Sequence, residues 1–468
     1  MEESNDRSWM VPIKVMLGSL KHGEVQACSI SNIPDMLRGA NEDAYTPKYV
    51  SIGFLHRGAT SHLQQMEGTK WHYMREFLER QGTTSAQNIR SEIRLRDCGF
   101  EILKLNNVIC ASYGGSNNNI VEKIDSHEIA KIMMLDGCFL LELLTRLDGY
   151  MVNPAIYKND SILKAEEKII HVLNDVAMLE NQVPFLVLKK LYRKVFPDGS
   201  EINNDYRVAN IVCKAFGYPL VSSSGVAHIL HLMHLSTVDQ SQQHEGKKAK
   251  LELLRCATKL RASGVIIKAK SNSTNQNRHK LLDMFDFDIC FSDNSGELDI
   301  PQLYIKETTQ VKWRNLIAWE QSKIGIRSKY TSYALFFNGL ICCEHDIELL
   351  KDKKVIVNEL NKSNEELLTI FCTISKGAEQ MDTSYSQICD RLNAYKGMEV
   401  TKVLQKWPIC VWHQCRRVLE IIVYYMRNWY KILIRDHIPT VWKFVGIVAA
   451  AALLILAIMQ TIYASHNK

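Results

Sequence analysis

The chain has 468 residues, 46% apolar and 23% charged, so it can bury a large core and is neither a disordered tract nor a low-complexity protein. Its formal charge of +6 is small for this length, and much of it comes from the basic residues just before the C-terminal apolar run. That distribution argues against nucleic acid as a partner, which needs a concentrated basic face on a folded domain. The thirteen cysteines are dispersed, with Cys342 and Cys343 adjacent, Cys410 and Cys415 five apart and no CxxC, as expected of reduced cytosolic thiols rather than a disulfide framework.

In chain order, the opening Met1–Arg7 stretch lacks a basic segment followed by an apolar core, so no signal peptide is expected there. Residues 1–29 carry no periodic pattern and are assigned to a variable extension. From Ile30 to Gly58 the presence of Pro34, Pro47, Gly39, Gly53 and Gly58 predicts an extended, turn-rich segment, with Tyr49–Ile52 its most strand-like piece. From His62 the spacing of Leu63, Met66, Trp71, Met74, Phe77 and Leu78 predicts a helix, with Glu67, Lys70, Arg75 and Glu79 interleaved and Gly82 ending it. A second helix is expected over residues 86–105 and a loop from Tyr113 to Asn119. Ser126 to Leu147 is apolar on most sides and predicts a central, buried helix. Asp160 or Ser161 is expected to cap the next helix, and Pro184 to kink or restart the chain after it.

A polar stretch, Ser236 to Lys248, separates this helical half from a short helix ending near Ser263 and Gly264. Strands are then expected at Val265–Ile267, Phe285–Phe291 and Leu298–Ile305, with a reversal at Asp293–Gly296. Helices resume over residues 308–322, 330–343, 346–350, 365–375 and much of 385–404. The expected fold is therefore mainly α, with a small β element over about residues 264–305. Residues 30–410 form the main domain, 411–441 a basic amphipathic juxtamembrane segment, 442–463 a transmembrane helix and 464–468 a short tail.

The transmembrane expectation rests on Phe444 to Tyr463, where no charged side chain occurs. Twenty helical residues at about 1.5 Å each span roughly 30 Å, the thickness of a bilayer core. Trp442 and Lys443 at one end and Tyr463 at the other suit interfacial anchors. Arg416, Arg417, Arg427, Lys431, Arg435 and Lys443 precede this run and only Lys468 follows it, which orients the large domain to the cytosol, with the plasma membrane as the expected location. The sequons at Asn159, Asn272 and Asn361 would then remain unmodified. Gly446 and Ala450 form a small-xxx-small pair that permits helix-mediated self-association. Between Val418 and Leu433, a stripe of Val418, Ile422, Met426, Trp429 and Leu433 suits either a helix lying on the membrane surface or one packed on its own domain.

Chemistry-bearing motifs are sparse. There is no GxxxxGK[ST], GxGxxG after a strand, GxSxG or HExxH, so no catalytic residue, cofactor or metal ligand is assigned. His228, His231 and His234 recur every three residues among Leu230, Leu232, Met233 and Leu235, which favours packing over metal ligation. Asp283, Asp286, Asp288, Glu297 and Asp299 lack the compact loop of a Ca²⁺ site and read as a solvated strand face. Glu180, Asn181 and Gln182, just ahead of Pro184, are expected to cap and to form buried hydrogen bonds at the helix break.

Several pieces in one order carry a family resemblance: Ala44–Pro47, Val50–Gly53, Met66–Glu67, Lys70–Trp71, Phe77–Leu78, Asp136–Phe139, Leu141–Leu144 and Leu179–Phe185. Ala257–Leu260, Gly264–Val265, Ile300–Pro301, Arg314–Ala318, Glu320–Gln321, Asp346–Leu350 and Gln460–Tyr463 follow. Over nearly its whole length the chain resembles the plant proteins grouped as "domain of unknown function 247". It departs from them after Gly53, where Phe54–Gly58 lacks the usual proline and keeps only His56 of a histidine pair. The resemblance implies a plant membrane protein without established catalytic residues. Some similar grass proteins act as male, pollen-side determinants of self-incompatibility through a protein partner. The rival readings are a membrane-tethered enzyme and a structural scaffold.

Overall fold

The computed structural model describes residues 28–80, 87–113, 124–197, 201–222, 224–238, 253–270, 285–323, 326–379 and 381–396, together with residues 419, 422, 423, 426 and 427. The chain divides into two compact units, one of Met1–Thr258, Ile267–Asp293 and Glu297–Ala394, the other of Lys259–Ile266, Asn294–Gly296 and Tyr395–Lys468.

The first unit is helical. Its helices are α1 (Asp35–Arg38), α2 (Ser61–Glu79), α3 (Gln87–Lys104), α4 (Asn106–Ser112), α5 (Ser126–Val152), α6 (Glu166–Val176), α7 (Phe185–Val195), α8 (Glu201–Phe216) and α9 (Ile229–Leu235). Helix α10 (Ala257–Ala262) precedes the strands, and α11 (Glu307–Ser322), α12 (Lys329–Leu340), α13 (Glu344–Asp352), α14 (Asn364–Ile374) and α15 (Thr383–Ala394) follow. Helix α5 forms the centre because Leu140, Leu141, Leu143 and Leu144 are all buried, a run too apolar to have a solvent face. Each such side chain contributes roughly 1.5–3 kcal/mol on leaving water. Helices α2, α3, α7 and α8 pack around it. Pro184 occupies the N-cap of α7, where its missing N–H costs nothing, so the chain restarts there. A second apolar cluster joins Trp313 to Tyr333 at 5.5 Å and stacks Phe337 on Phe371 at 5.5 Å between ring centres.

The strands are β1 (Ile266–Lys270), β2 (Cys290–Ser292), β3 (Glu297–Pro301), β4 (Leu303–Ile305) and β5 (Ile356–Asn358). The first three form one sheet in the order β1-β3-β2, with Phe291 opposite Leu298 in an antiparallel register. The expected single strand over Leu298–Ile305 is divided. Beyond Gln302 the chain leaves that sheet and pairs β4 in parallel with β5, Tyr304 opposite Val357. Pro301, which cannot donate to a ladder, stands at the break, but the choice of a parallel partner about 50 residues on is tertiary. Likewise Phe285–Ile289, expected to be strand, is irregular, and only Cys290–Ser292 joins the ladder.

Three other local expectations change. Tyr49 lies at a bend, and residues 50–52 are irregular and join no ladder among the described residues. Asp160 does not cap α6, which begins at Glu166 with Ala165 as its N-cap; its carboxylate instead accepts the Ile162 and Leu163 amides of an intervening turn. In α2 the polar and apolar sides are exchanged at one step: Lys70 is fully buried while Trp71 is 48% exposed, because a carboxylate on α5 neutralises the lysine.

In the second unit, Gly264 ends its helical turn at φ +90°, Val265 donates to Leu260 O and Ile266 donates to Gly296 O. Residues 419, 422, 423, 426 and 427 are helical, and Leu419, Ile422, Val423 and Met426 are all more than half exposed. Among the described residues no helix is long and apolar enough to cross a membrane. The expected span, with Trp442, Lys443, Phe444 and Tyr463, lies outside the described residues.

Candidate functional site

The irregular segment Pro47–Arg57 crosses α5, α6 and the turn before α7 without joining a ladder among the described residues, so its amides need other acceptors. Side chains supply them. Asp175, at the end of α6, accepts from Lys48 N, Tyr49 N (2.6 Å) and Val50 N (2.8 Å). Asn181 accepts from Ile52 N at 2.6 Å and donates to Val50 O and Asp175 O, both at 2.9 Å. Asp136, in the middle of α5, accepts from Gly53 N at 2.9 Å. Gly53 stands at φ +76°, and a Cβ there would lie 2.3 Å from the Tyr113 hydroxyl, so both conformation and space require glycine.

The charges on this lacing are balanced internally. Lys70 Nζ donates to Ser51 O (2.5 Å), Glu67 Oε1 (2.7 Å) and Asp136 Oδ1 (2.8 Å). Arg57 bridges Asp136 and Glu67. Glu180 holds Arg38 and His56 and accepts the Ile33 amide. Burial by itself raises the Glu180 carboxyl, but His56, Arg38 and the Ile33 amide outweigh it and hold it below its ordinary value. Asp175 goes the other way: burial pushes it up to about 6 against the pull of its three amides. Gln182 donates to Val176 O and Met178 O and accepts from Leu230 N. The Glu180–Gln182 triplet thus performs the capping and buried hydrogen bonding expected of it.

The same device recurs elsewhere. Glu320 accepts Tyr330 N, Thr331 N and the Thr331 hydroxyl at the start of α12, and meets His234 Nε2 at 2.9 Å. Asn315 accepts Leu179 N and donates to Ala44 O. The three histidines do not converge on a common point. His228 Nδ1 accepts His231 N at the start of α9, His231 Nδ1 accepts Ala227 N, and His234 turns to Glu320. Burial pushes His228 down to about 3 and His231 well below its ordinary value, so both rings are neutral. Around the strands, Asp288 pairs with Lys270 and Glu297 with Lys268, as a solvated face does, and Asp283 lies outside the described residues.

One cleft opens to solvent with charged walls. It encloses about 540 Å³ and is lined by His72, Tyr73, Glu76, Arg80, Glu142, Arg146 and residues 156–161 apart from Lys158. Arg80 grips Glu142 with two donors, at 2.5 and 2.9 Å. Arg146 donates to Glu142 Oε1 (2.7 Å) and Asp160 Oδ2 (2.6 Å), pairs with Glu76 and lies 4.5 Å over the Tyr73 ring. Tyr73 donates to Asp160 Oδ1 at 2.6 Å. Burial and Asp160 push the Tyr73 phenol above its ordinary value, which keeps it a hydrogen-bond donor. The cleft presents guanidinium donors and carboxylate acceptors in fixed directions, a surface for polar recognition.

Sequence reasoning missed Asp136, Glu142 and Asp175. For the first two, the available signal was a carboxylate inside the apolar run of α5, since a charge there must be paired. Two of the motif pieces that carry the resemblance, Asp136–Phe139 and Leu141–Leu144, contain Asp136 and Glu142. A plant protein family of unknown function, "domain of unknown function 247", matches residues 30–456. The chain belongs to that family. Its relatives include the Arabidopsis thaliana UPF0481 protein At3g47200, 25% identical over 93% of this chain and 86% of the relative. The Arabidopsis thaliana putative UPF0481 protein At3g02645 is 20% identical over 97% of this chain and 94% of the relative. No solved structure matches the chain.

Proposed function

We propose that this family member is a membrane-anchored, non-enzymatic plant recognition or signalling protein, its specific role being that of a male (pollen) determinant of self-incompatibility. The observation that carries the anchoring is the uncharged run Phe444–Tyr463, framed by Trp442 and Lys443 and preceded by six basic residues from Arg416 on. The exposed apolar side chains of helical Leu419, Ile422, Val423 and Met426, beside Arg427, support a surface-lying helix that precedes the span. The large domain faces the cytosol, on the plasma membrane, and its partner is a protein.

The recognition reading is supported by how the ionisable groups are used, since buried carboxylates and histidines are committed to backbone amides and to one another. The polar cleft between Tyr73 and Asp160 favours a second reading, a tethered enzyme acting on a polar ligand, because charged groups line an open volume.

The full chain expressed in plant cells should resist alkaline extraction from membranes, and removal of residues 442–468 should release it. Protease added outside intact cells should leave the large domain uncut; cleavage overturns the orientation. Disrupting the gene should abolish self-rejection of pollen, and normal self-rejection in the mutant overturns the specific role.

A further inference from the structure

The segment Leu253–Thr258 is held against the α12–α13 turn by contacts unrelated to the lacing. Leu254 N donates to Asn393 Oδ1 at 2.9 Å. Gly339 lets the segment approach so closely that a Cβ there would lie 2.6 Å from Leu253 O. Thr258 donates its amide and its hydroxyl to Asp346 Oδ1, each at 2.8 Å. The result is a grouping of two soft ligands and one hard one: Cys256 Sγ, Cys342 Sγ and an Asp346 carboxylate oxygen all lie within 4.8 Å of one another. Cys342 Sγ is 3.2 Å from Asp346 Oδ2.

A tetrahedral zinc ion, with sulfur at about 2.3 Å and oxygen at about 2.0 Å, places its ligands roughly 3.5–3.8 Å apart. The widest separation in the group exceeds that by about 1 Å at most, within reach of a side-chain adjustment. Asp346 is already oriented, since its Oδ2 also accepts Cys342 N (3.0 Å) and Cys343 N (3.2 Å), and metal ligands are characteristically fixed by such outer partners. Cys256 and Asp346 are buried while Cys342 is exposed, so an ion has both a seat and an entry.

We propose that Cys256, Cys342 and Asp346 bind a divalent cation of the zinc class, with a fourth position open to water on the Cys342 side. Two thiolates and one carboxylate select a borderline-soft ion over Ca²⁺ or Mg²⁺, which take oxygen ligands. Bound there, the ion staples the 253–258 segment to the turn between α12 and α13. The neighbouring Cys343 Sγ, 3.4 Å from Asp346 Oδ2, stands beside the three.

The test uses the full chain in detergent micelles, reduced, stripped with chelator and titrated with Co²⁺, then with Zn²⁺ as competitor. One equivalent of Co²⁺ should bind with a thiolate-to-cobalt charge-transfer band that Zn²⁺ abolishes. Cys342→Ala and, independently, Cys256→Ala should each weaken binding by at least about tenfold, with unchanged far-UV circular dichroism, while Cys372→Ser, at an exposed thiol elsewhere, should not. The absence of a band in the unmodified chain overturns the proposal whatever the variants do. So does an unaltered band in both alanine variants, or a Cys256–Cys342 disulfide in protein isolated without reductant.

Discussion

Two charge clusters in the helical unit share an inventory and differ in what the charges hold. Around Asp136 and Lys70, both fully buried, the carboxylates accept amides of the Pro47–Arg57 segment and the lysine donates back to its Ser51 carbonyl. Around Arg146, Glu142 and Asp160, the pairs line an open cleft and most link side chain to side chain. A buried carboxylate that replaces a missing strand neighbour is part of the fold. Glu142 and Asp160, themselves nearly inaccessible, instead hold the arginines and the tyrosine that line the cleft.

The largest expected effect lies in the buried cluster. Asp136→Ala should cost about 3–5 kcal/mol in denaturant unfolding, because it takes from Lys70 its fully buried counter-charge, leaving only Glu67 and the Ser51 carbonyl, and orphans Gly53 N. A cost below about 1 kcal/mol would erase the distinction between the clusters. Pairing it with Lys70→Met should recover part of the loss in a double-mutant cycle.

Acid–base behaviour sharpens the comparison within the lacing. The folded Asp175 carboxyl, at about 6, lies above an unfolded value of about 3.9, so the folded state holds the proton more tightly. Its stabilising contribution is full below about pH 4 and is lost as pH rises through about 6. Measured against Asp175→Asn, the native chain should therefore lose up to roughly 3 kcal/mol of relative stability across that window. Glu180 has the opposite sign. Its depressed folded value gives stability that is present above the unfolded value of about 4.3 and lost as pH falls through the folded one. The gap between the native chain and Glu180→Gln should thus shrink on acidification. Parallel pH profiles for native chain and variants would refute both assignments.

Smaller effects belong to the exposed side. Arg146→Ala should cost about 1–2 kcal/mol, since Glu142 keeps Arg80 and Asp160 keeps Tyr73 and two amides. If the cleft serves recognition, capture of the partner by the full chain falls in this variant while its melting temperature changes little. Lys268→Ala, at a half-exposed pair with Glu297, should change stability by less than about 0.5 kcal/mol.

Much of the helical framework was legible in the chain. Apolar spacing located α2, α3, α5 and α11 to within a few residues, Pro184 marked the restart at α7, and Asp293–Gly296 marked the turn between β2 and β3. Local periodicity reports which face of an element is apolar, and most of these faces are indeed buried. It failed at Lys70 and Trp71, where a carboxylate 66 residues away reverses the usual burial order. It failed again at Tyr49–Ile52, whose β-like composition is satisfied by Asp175 and Asn181 rather than by a strand. The split of 298–305 falls at Pro301, but the identity of the second partner strand had no local signal.

The sequence by itself determined the family, the predominance of helix and the buried identity of α5, because each is written in short-range pattern or in ordered motif pieces. Only the tertiary structure decided which acidic residue serves which amide, and that Cys256 meets Cys342 and Asp346. Such pairings depend on chain segments brought together from 66 to well over a hundred residues apart, and their energy comes from desolvating both partners at once. A charge in an apolar helix announces that a partner exists; its identity is fixed only when the helices pack.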